Sequence, residues 1–404
     1  MARPSVQLGI VGKPNTGKST LFAAATLQSV KIAPYPFTTI EPNVGIGYVR
    51  LECVCKEFGV TDNPVGSFCV NGWRFAPVEL LDVAGLVPDA WQGRGLGNRF
   101  LDHLRRADAL IHVVDAAGST DSEGRPVEPG SHDPLEDVQF LERELDMWIL
   151  DMLEKDWRRF AMTIEATGSK IEDELYKRLS GLEVSRASIV EAIEHAGLHS
   201  KRPTLWTRDD LTTFIREMRV RAKPMVIAAN KADLAVAASN IERMRGALKN
   251  RYVVIPTSAE SELALRRAAA AGLIRYLPGD RDFEVIGKLT AKQEAALEYI
   301  RKSVLKVWGS TGVQEVLNTT VFNVLGRVAV FPVADEQTLT DSEGRVLPEV
   351  YLMRRGSTAR ELAYAIHTEL GDKFIAALDV RTKRRLGADA VLQNRMVVKI
   401  FTGR

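Results

Sequence analysis

The chain has 404 residues, 45% of them apolar and 26% charged, with a formal net charge of +2. This length exceeds what one hydrophobic core usually supports, the composition excludes a disordered or fibrous chain, and the near-neutral balance excludes a whole-molecule electrostatic footprint for nucleic acid. Three cysteines (Cys53, Cys55 and Cys69) are too few for a disulfide framework, no apolar run approaches the ~18 residues of a membrane-crossing helix, and the start carries no leader-like pattern, so the chain is expected to be cytoplasmic with no membrane partner.

Residues 5–11 predict a short buried strand, and Gly12 to Ser19 a loop that opens a helix near Thr20-Leu21-Phe22. Apolar runs at 44–49, 78–83, 109–115, 225–229 and 252–256, bounded by turn residues, predict the buried strands of a doubly wound, mostly parallel α/β sheet. Between about 134 and 220 this regularity stops. There Val138, Leu141, Leu145, Trp148, Ile149, Met152 and Leu153 keep helical spacing among many charges, and Thr207 with Asp210 resembles a capping box. A helical hairpin or small, coiled-coil-like bundle is expected, either a solvated arm that packs on itself or an arm for a partner. Thr290 with Gln293 marks a connector helix to about 307, and a further helix follows Gly312. From 327 onward, short apolar runs at 328–333, 349–353 and 396–401 surround a helix signalled by Ser357-Thr358, Leu362, Ala365 and Ile366, as in a small α+β domain. The expected division is an α/β domain in two parts, 1–133 and 222–288, a helical insertion at 134–221, a helical connector at 289–326 and a terminal domain at 327–404.

Gly12-Lys13-Pro14-Asn15-Thr16-Gly17-Lys18-Ser19 fits the phosphate-loop pattern G-x-x-x-x-G-K-[ST] in the strand-loop-helix setting that its chemistry needs. Glycines let backbone N–H groups converge on phosphates, the helix start at Ser19 and Thr20 favours an anion, Lys18 reaches the β- and γ-oxygens, and the Ser19 hydroxyl ligates Mg²⁺. Asp82, in Asp82-Val83-Ala84-Gly85 at a strand end, is placed to hold the same Mg²⁺, and Gly85 brings its N–H to the γ-phosphate with no side chain in the way. Asn230-Lys231-Ala232-Asp233 follows the strand 225–229 and selects guanine, because the Asp233 carboxylate accepts from N1–H and the 2-amino group, donors that adenine lacks there. Asn230 is expected to brace the loops, the Lys231 stem to lie over the base, and the backbone around Ser258-Ala259 to meet the guanine oxygen. Together these motifs predict a Mg²⁺-dependent GTPase that binds GTP and GDP.

On these residues the whole chain resembles the Obg-related GTPases, and within them the YchF-like branch with a C-terminal, ubiquitin-like TGS domain. The resemblance is carried by the phosphate loop, by Pro36-Phe37-Thr38-Thr39-Ile40-Glu41-Pro42-Asn43 as a first switch, and by Gly85-Leu86-Val87-Pro88 to Gly93-Arg94-Gly95-Leu96-Gly97 as a second. The helical insertion and the small terminal domain match as well. It implies that Thr39, or else Thr38, closes on Mg²⁺ and γ-phosphate, and that the partner is the ribosome, RNA or other translation machinery; no DNA partner is expected. Many YchF-like proteins look like ATPases whose base motif ends in glutamate, whereas Asp233 gives the guanine form. Where many GTPases place a water-orienting glutamine after this glycine, Leu86 supplies neither charge nor a hydrogen bond, as the Obg-related group also has it. The resemblance therefore points to K⁺ near Asn15 as the added positive charge, with Lys18, Thr39, Gly85 and Asn15 as the catalytic set. The alternative is that Asn15 only braces the loop through side-chain to backbone hydrogen bonds. Two rival readings remain: a YchF-type ATPase, and a nucleotide-stabilised RNA- or ribosome-binding module whose hydrolysis is incidental.

Cys53-Val54-Cys55 and Cys69 make three of the four ligands a closed zinc site wants, with Asp62 or a partner chain as the routes to a fourth; they are read as an ordinary reduced-thiol loop, with no metal besides Mg²⁺. His103 and His112 flank the second switch but fall in a helix-like and an apolar strand segment, and are read as packed, not catalytic. Arg381, Lys383, Arg384 and Arg385, joined by Arg354-Arg355, form a basic cluster suited to RNA phosphates, within a region 320–404 that holds 13 basic and 10 acidic side chains.

Overall fold

The computed structural model describes residues 6–26, 44–83, 105–182 and 184–403. The expectations for the first switch at 36–43, including Thr38 and Thr39, for Gly85, Leu86 and the rest of the second switch, and for His103 lie outside these residues. The chain divides into two compact units, one of residues 7–20 and 81–259, the other of 1–6, 21–80 and 260–404.

Among the described residues seven strands belong to the α/β part: β1 (Gln7–Val11), β2 (Val44–Glu52), β3 (Phe68–Val70), β4 (Trp73–Asp82), β5 (Ala109–Asp115), β6 (Met225–Asn230) and β7 (Val253–Pro256). In the first unit β1, β5, β6 and β7 pair in parallel, with Ile10 opposite Ile111, Ile111 opposite Val226 and Ile227 opposite Val254. The Val83 N–H donates to the Ile10 carbonyl at 3.1 Å, which sets the end of β4 beside β1. Every residue of β5 and β6 is buried, as strands with both faces covered must be, and this is why both read as largely apolar runs, β5 interrupted only by His112 before its closing Asp115. The parallel order leaves the loops after β1, β5, β6 and β7 at one edge, the carboxyl ends of the strands, where open α/β sheets bind their ligands.

Between β5 and β6 the first unit carries, among the described residues, five α-helices, Pro134–Glu154, Trp157–Thr167, Ile171–Leu179, Arg186–His195 and Arg208–Ala222. They form a small bundle with a core of its own: Leu153, Leu175, Ile189 and Phe214 are fully buried, and Trp157 stacks on Trp206 with ring centroids 5.3 Å apart. Asp133 caps the first helix at Leu135 N with Pro134 in the first turn, and Thr207 with Asp210 completes the capping box of the last. Arg219, on the last helix, bonds Asp146 on the first at 2.5 Å and the Tyr252 hydroxyl beside β7 at 3.1 Å, so this buried guanidinium keeps partners on both sides.

In the second unit β2 and β3 flank β4, and β3 pairs antiparallel to it. A two-stranded hairpin, β8 (Ile274–Arg275) with β9 (Glu284–Val285), leads to the connector. Its first helix starts at the Thr290–Gln293 capping box and runs through a π-helical stretch, Arg301–Leu305, to Trp308. The second, Val313–Asn318, ends in an amide that imitates a neighbouring strand: Asn318 accepts from Arg50 N at 2.9 Å and donates to Arg50 O at 3.0 Å on β2. The terminal domain has β10 (Arg327–Val333), β11 (Tyr351–Arg354), β12 (Phe374–Asp379), β13 (Arg384–Leu386) and β14 (Met396–Thr402), in the order β11-β10-β14-β12-β13, with only β10 and β14 parallel. The helix Ala359–Ile366, capped by Thr358 and Glu361, buries Leu362 and Ala363. With a second, short helix at Thr368–Asp372, this is the mixed sheet with helices of the expected α+β fold.

Candidate nucleotide-binding site

β1 ends at Val11, and the chain then turns through Gly12 (φ 148°), Asn15 (φ 61°) and Gly17 (φ 98°) into the helix Lys18–Thr26. Two of these turns need glycine for close approach as well as for φ. A Cβ at Gly12 would come within 2.5 Å of the Val113 carbonyl, and one at Gly17 within 2.2 Å of Asn230 Nδ2.

Asn230 draws three loops together. Its Nδ2 donates to Thr16 O at 2.8 Å, its Oδ1 accepts from Ala259 N at 3.0 Å, and the neighbouring Ala232 N donates to Thr257 O at 3.0 Å. The loop brace that the sequence assigns to Asn230 thus has a bond at each end, both buried. Lys18 donates from Nζ to Lys13 O at 2.7 Å. Burial pushes its ammonium down to about 8, against the opposing pull of the Asp82 carboxylate. Ser19 and Thr20 stand in the first turn of the helix, Ser19 exposed.

Lys13 behaves differently from its neighbours. Its side chain turns inward, donating to Asp137 Oδ1 at 2.9 Å and to Thr120 O at 2.9 Å, while His132 Nε2 lies 2.8 Å from the same carboxylate oxygen. Only the Lys13 backbone remains for a phosphate cradle, and Pro14 has no N–H to add. Asn15 is exposed and donates from Nδ2 to Gly124 O at 2.9 Å, a side-chain to backbone brace that keeps Oδ1 as the atom able to coordinate a cation.

On the base side, Lys231 (φ 63°) bonds from Nζ to Asp115 Oδ2 at 2.8 Å and Ser119 Oγ at 3.0 Å. Asp115 closes β5, is fully buried, and also accepts from Ala117 N at 3.1 Å and Thr120 Oγ1 at 2.9 Å. The ion pair draws the Lys231 stem along a fixed line. Ser258 Oγ, itself buried, donates to Asp233 Oδ1 at 2.8 Å and so orients that carboxylate.

Sequence reading missed Asp115, Asp137 and Gly124. The signal for Asp115 was present: a carboxylate closing an apolar strand before Ala116-Ala117-Gly118-Ser119-Thr120, whose small and hydroxyl residues suit a tight turn. Asp137 had none, since its partner Lys13 is 124 positions away. His112 lies inside β5 as read, its pKa pushed down to about 3 by burial first and then by Lys18 and Lys13, so it stays neutral. The basic cluster of the terminal domain is smaller than the sequence suggests, because Arg381 is committed to the Glu57 carboxylate and donates to Arg395 O at 3.0 Å. Lys383, Arg384, Arg385, Arg354 and Arg355 are exposed.

Residues 7–149 match the 50S ribosome-binding GTPases, residues 228–335 the G4 motif-containing domain of the Obg-like, YGR210-like GTPases, and residues 337–402 the TGS domain. An uncharacterized GTP-binding protein of Methanocaldococcus jannaschii is 49% identical over 397 residues, 98% of each chain. The ribosome-binding ATPase YchF of Bacillus subtilis is 32% identical over 91% of this chain and 87% of its own. A GTP binding protein from Pyrococcus horikoshii OT3, known from its crystal structure, is 44% identical and matches with a TM-score of 0.79 over 98% of this chain and 100% of that one. No helix among the described residues is long and apolar enough to cross a membrane. With a phosphate loop, a guanine-type base motif tied to it by Asn230 and relatives along its full length, the chain belongs to the Obg-like, YchF-type family of P-loop GTPases that end in a TGS domain.

Proposed function

We propose that this protein is a Mg²⁺-dependent, guanine-selective switch that hydrolyses GTP in the cytoplasm and changes its affinity for the ribosome or ribosomal RNA as it does so. The observation that carries this reading is the Asn230 bridge, which joins the phosphate loop, the base motif and the Ser258-Ala259 turn around one edge of the sheet. In this reading the backbone of Gly12 to Thr20 and the Lys18 ammonium hold the phosphates, and Asp233 with Ser258 and Ala259 reads the base. Ser19 and Asp82, with Thr39 from the switch, are hard oxygen donors of the kind Mg²⁺ takes, and bound Mg²⁺ would neutralise charge developing on the β- and γ-oxygens. Gly85 offers its N–H to the γ-phosphate. In this reading the GTPase domain spans 1–133 and 222–288, the helical insertion 134–221, the connector 289–326 and the TGS domain 327–404.

The ribosome is suggested by the name of the Bacillus subtilis relative and by the exposed Lys383, Arg384 and Arg385. Sedimentation with ribosomes in GDP, in a non-hydrolysable GTP analogue and without nucleotide tests partner and switch together. We expect co-sedimentation to differ at least several-fold between the GDP and analogue states. Equal pelleting in all three would leave a binding module, and single-turnover hydrolysis would favour the same outcome.

Leu86 brings no charge, so the transition state needs a positive charge from elsewhere. We place K⁺ near Asn15 Oδ1. Steady-state hydrolysis should be faster in K⁺ than in Na⁺, Asn15→Ala should remove the difference, and Leu86→Ala should change the rate only modestly. Equal rates in both salts would leave Asn15 with its Gly124 brace alone.

Lys18 also predicts a pH dependence. In the free protein its ammonium loses its proton near 8, and phosphate binding favours the charged form and raises that value again. Binding of GDP should therefore take up protons, by a fraction that grows as pH rises through about 8, and affinity should fall in the same window. Calorimetry at pH 7 and 8.5 in buffers of different ionisation enthalpy measures the uptake; none at 8.5 would mean that Lys18 stays charged throughout.

A further inference from the structure

Cys53 and Cys55 follow directly on β2, Cys69 lies in β3, and Asp62 sits in the loop between them. The fold closes these four onto one point: one donor atom from each lies within 4.8 Å of all the others. Cys55 Sγ and Cys69 Sγ are 3.8 Å apart, and Cys53 Sγ is 3.2 Å from Asp62 Oδ2. With Zn–S bonds of about 2.3 Å, the sulfurs of a regular tetrahedron stand about 3.8 Å apart, whereas a disulfide brings them to about 2.05 Å. All three thiols are free, and Cys53 and Cys55 are buried. The sequence alone leaves the trio one ligand short; the fold supplies the fourth.

We propose that Cys53, Cys55, Asp62 and Cys69 form a closed, tetrahedral structural site for zinc. Thiolates select a soft or borderline cation over Mg²⁺, and a full set of protein ligands leaves no open position for catalysis. Three thiolates and a carboxylate around a divalent ion leave the cluster two charges negative. Arg74, fully buried, donates to Asp62 Oδ2 at 3.0 Å, offsetting one of these charges and orienting the carboxylate from outside the ligand set.

The site has a mechanical consequence. The same guanidinium donates to Leu347 O at 2.6 Å, and the loop beyond Asp62 pairs with the terminal domain through Asn63 N to Val346 O at 2.8 Å and Val65 N to Pro348 O at 2.7 Å. Zinc holds the loop on which residues 346–348 of the terminal domain rest.

The test is elemental analysis of the full-length protein, purified without chelator. We expect about one zinc per chain, released in step with modification of the three thiols by a mercurial, and a lower melting midpoint after release. Cobalt taken up in its place should give the visible absorption of a tetrahedral thiolate site. Cys69→Ser should cut the zinc to below about a fifth of the native content, and Asp62→Cys, which keeps a fourth ligand, should retain it. Metal-free native protein with three reactive thiols, no cobalt spectrum and a melting midpoint indifferent to chelator would overturn the proposal. So would a Cys55–Cys69 disulfide found by mass spectrometry of the native chain.

Discussion

Asp233→Ala should weaken GTP binding by about 10³-fold or more while leaving ATP binding nearly where it was. In the native protein GTP should bind at least that much more tightly than ATP, because a site built to hydrogen-bond two donors leaves its own buried groups unpaired when they are missing. The carboxylate is prepared for this task. Ser258 Oγ holds Asp233 Oδ1 at 2.8 Å, and Ser258 is buried behind the turn that Asn230 ties through Ala259. Ser258→Ala should therefore cost GTP affinity by a smaller factor, about tenfold, since it frees the carboxylate without removing it. Calorimetry with GTP and ATP on the native protein and both variants decides the matter. Comparable or tighter ATP binding by the native protein would reassign it to ATP, the nucleotide in the name of its Bacillus subtilis relative.

Lys18→Ala should lower the rate of GTP hydrolysis by about 10³-fold, the scale seen when a positioned charge is removed from a developing oxyanion. Stability should move the other way. Burial holds the Lys18 pKa at about 8, so at pH 7 the fold carries a charged ammonium where the surroundings disfavour it. The sign follows from linkage: a lysine whose folded pKa is depressed costs stability in full below the folded value of about 8, and the cost shrinks as pH rises above it and is gone above the ordinary lysine value of 10.5. Without nucleotide, the variant should melt at the same temperature as the native protein or higher. With GDP and Mg²⁺, only the native protein should gain the several degrees that ligand binding adds. A variant that melts much lower in both conditions would mean that the bond from Lys18 to Lys13 O is part of the loop's framework, and the lost rate would then report on misfolding.

The parts of this protein that the sequence determined by itself are those whose physics is local. A phosphate cradle needs consecutive backbone N–H groups, so Gly12 to Ser19 are adjacent in the chain, and the base motif is four residues at the end of one strand for the same reason. The Thr207–Asp210 and Thr290–Gln293 capping boxes close within one helical turn, and β5 and β6, covered on both faces, declare themselves as apolar runs. β12, with its two alanines, and β13, with two exposed arginines, carried no such mark; each is a strand only because β14 and β12 lie beside it. Tertiary structure alone decided the long-range pairs. It turned Lys13 inward to Asp137, set Asp115 under Lys231, let Asn318 stand in for a strand beside Arg50, and withdrew Arg381 from the basic cluster to Glu57. It also carried Asp62 to the three thiols. Each of these depends on where two distant segments come to rest, and a side chain's partner across such a distance is set by strand order and loop path, which leave no periodic signal in the residues themselves.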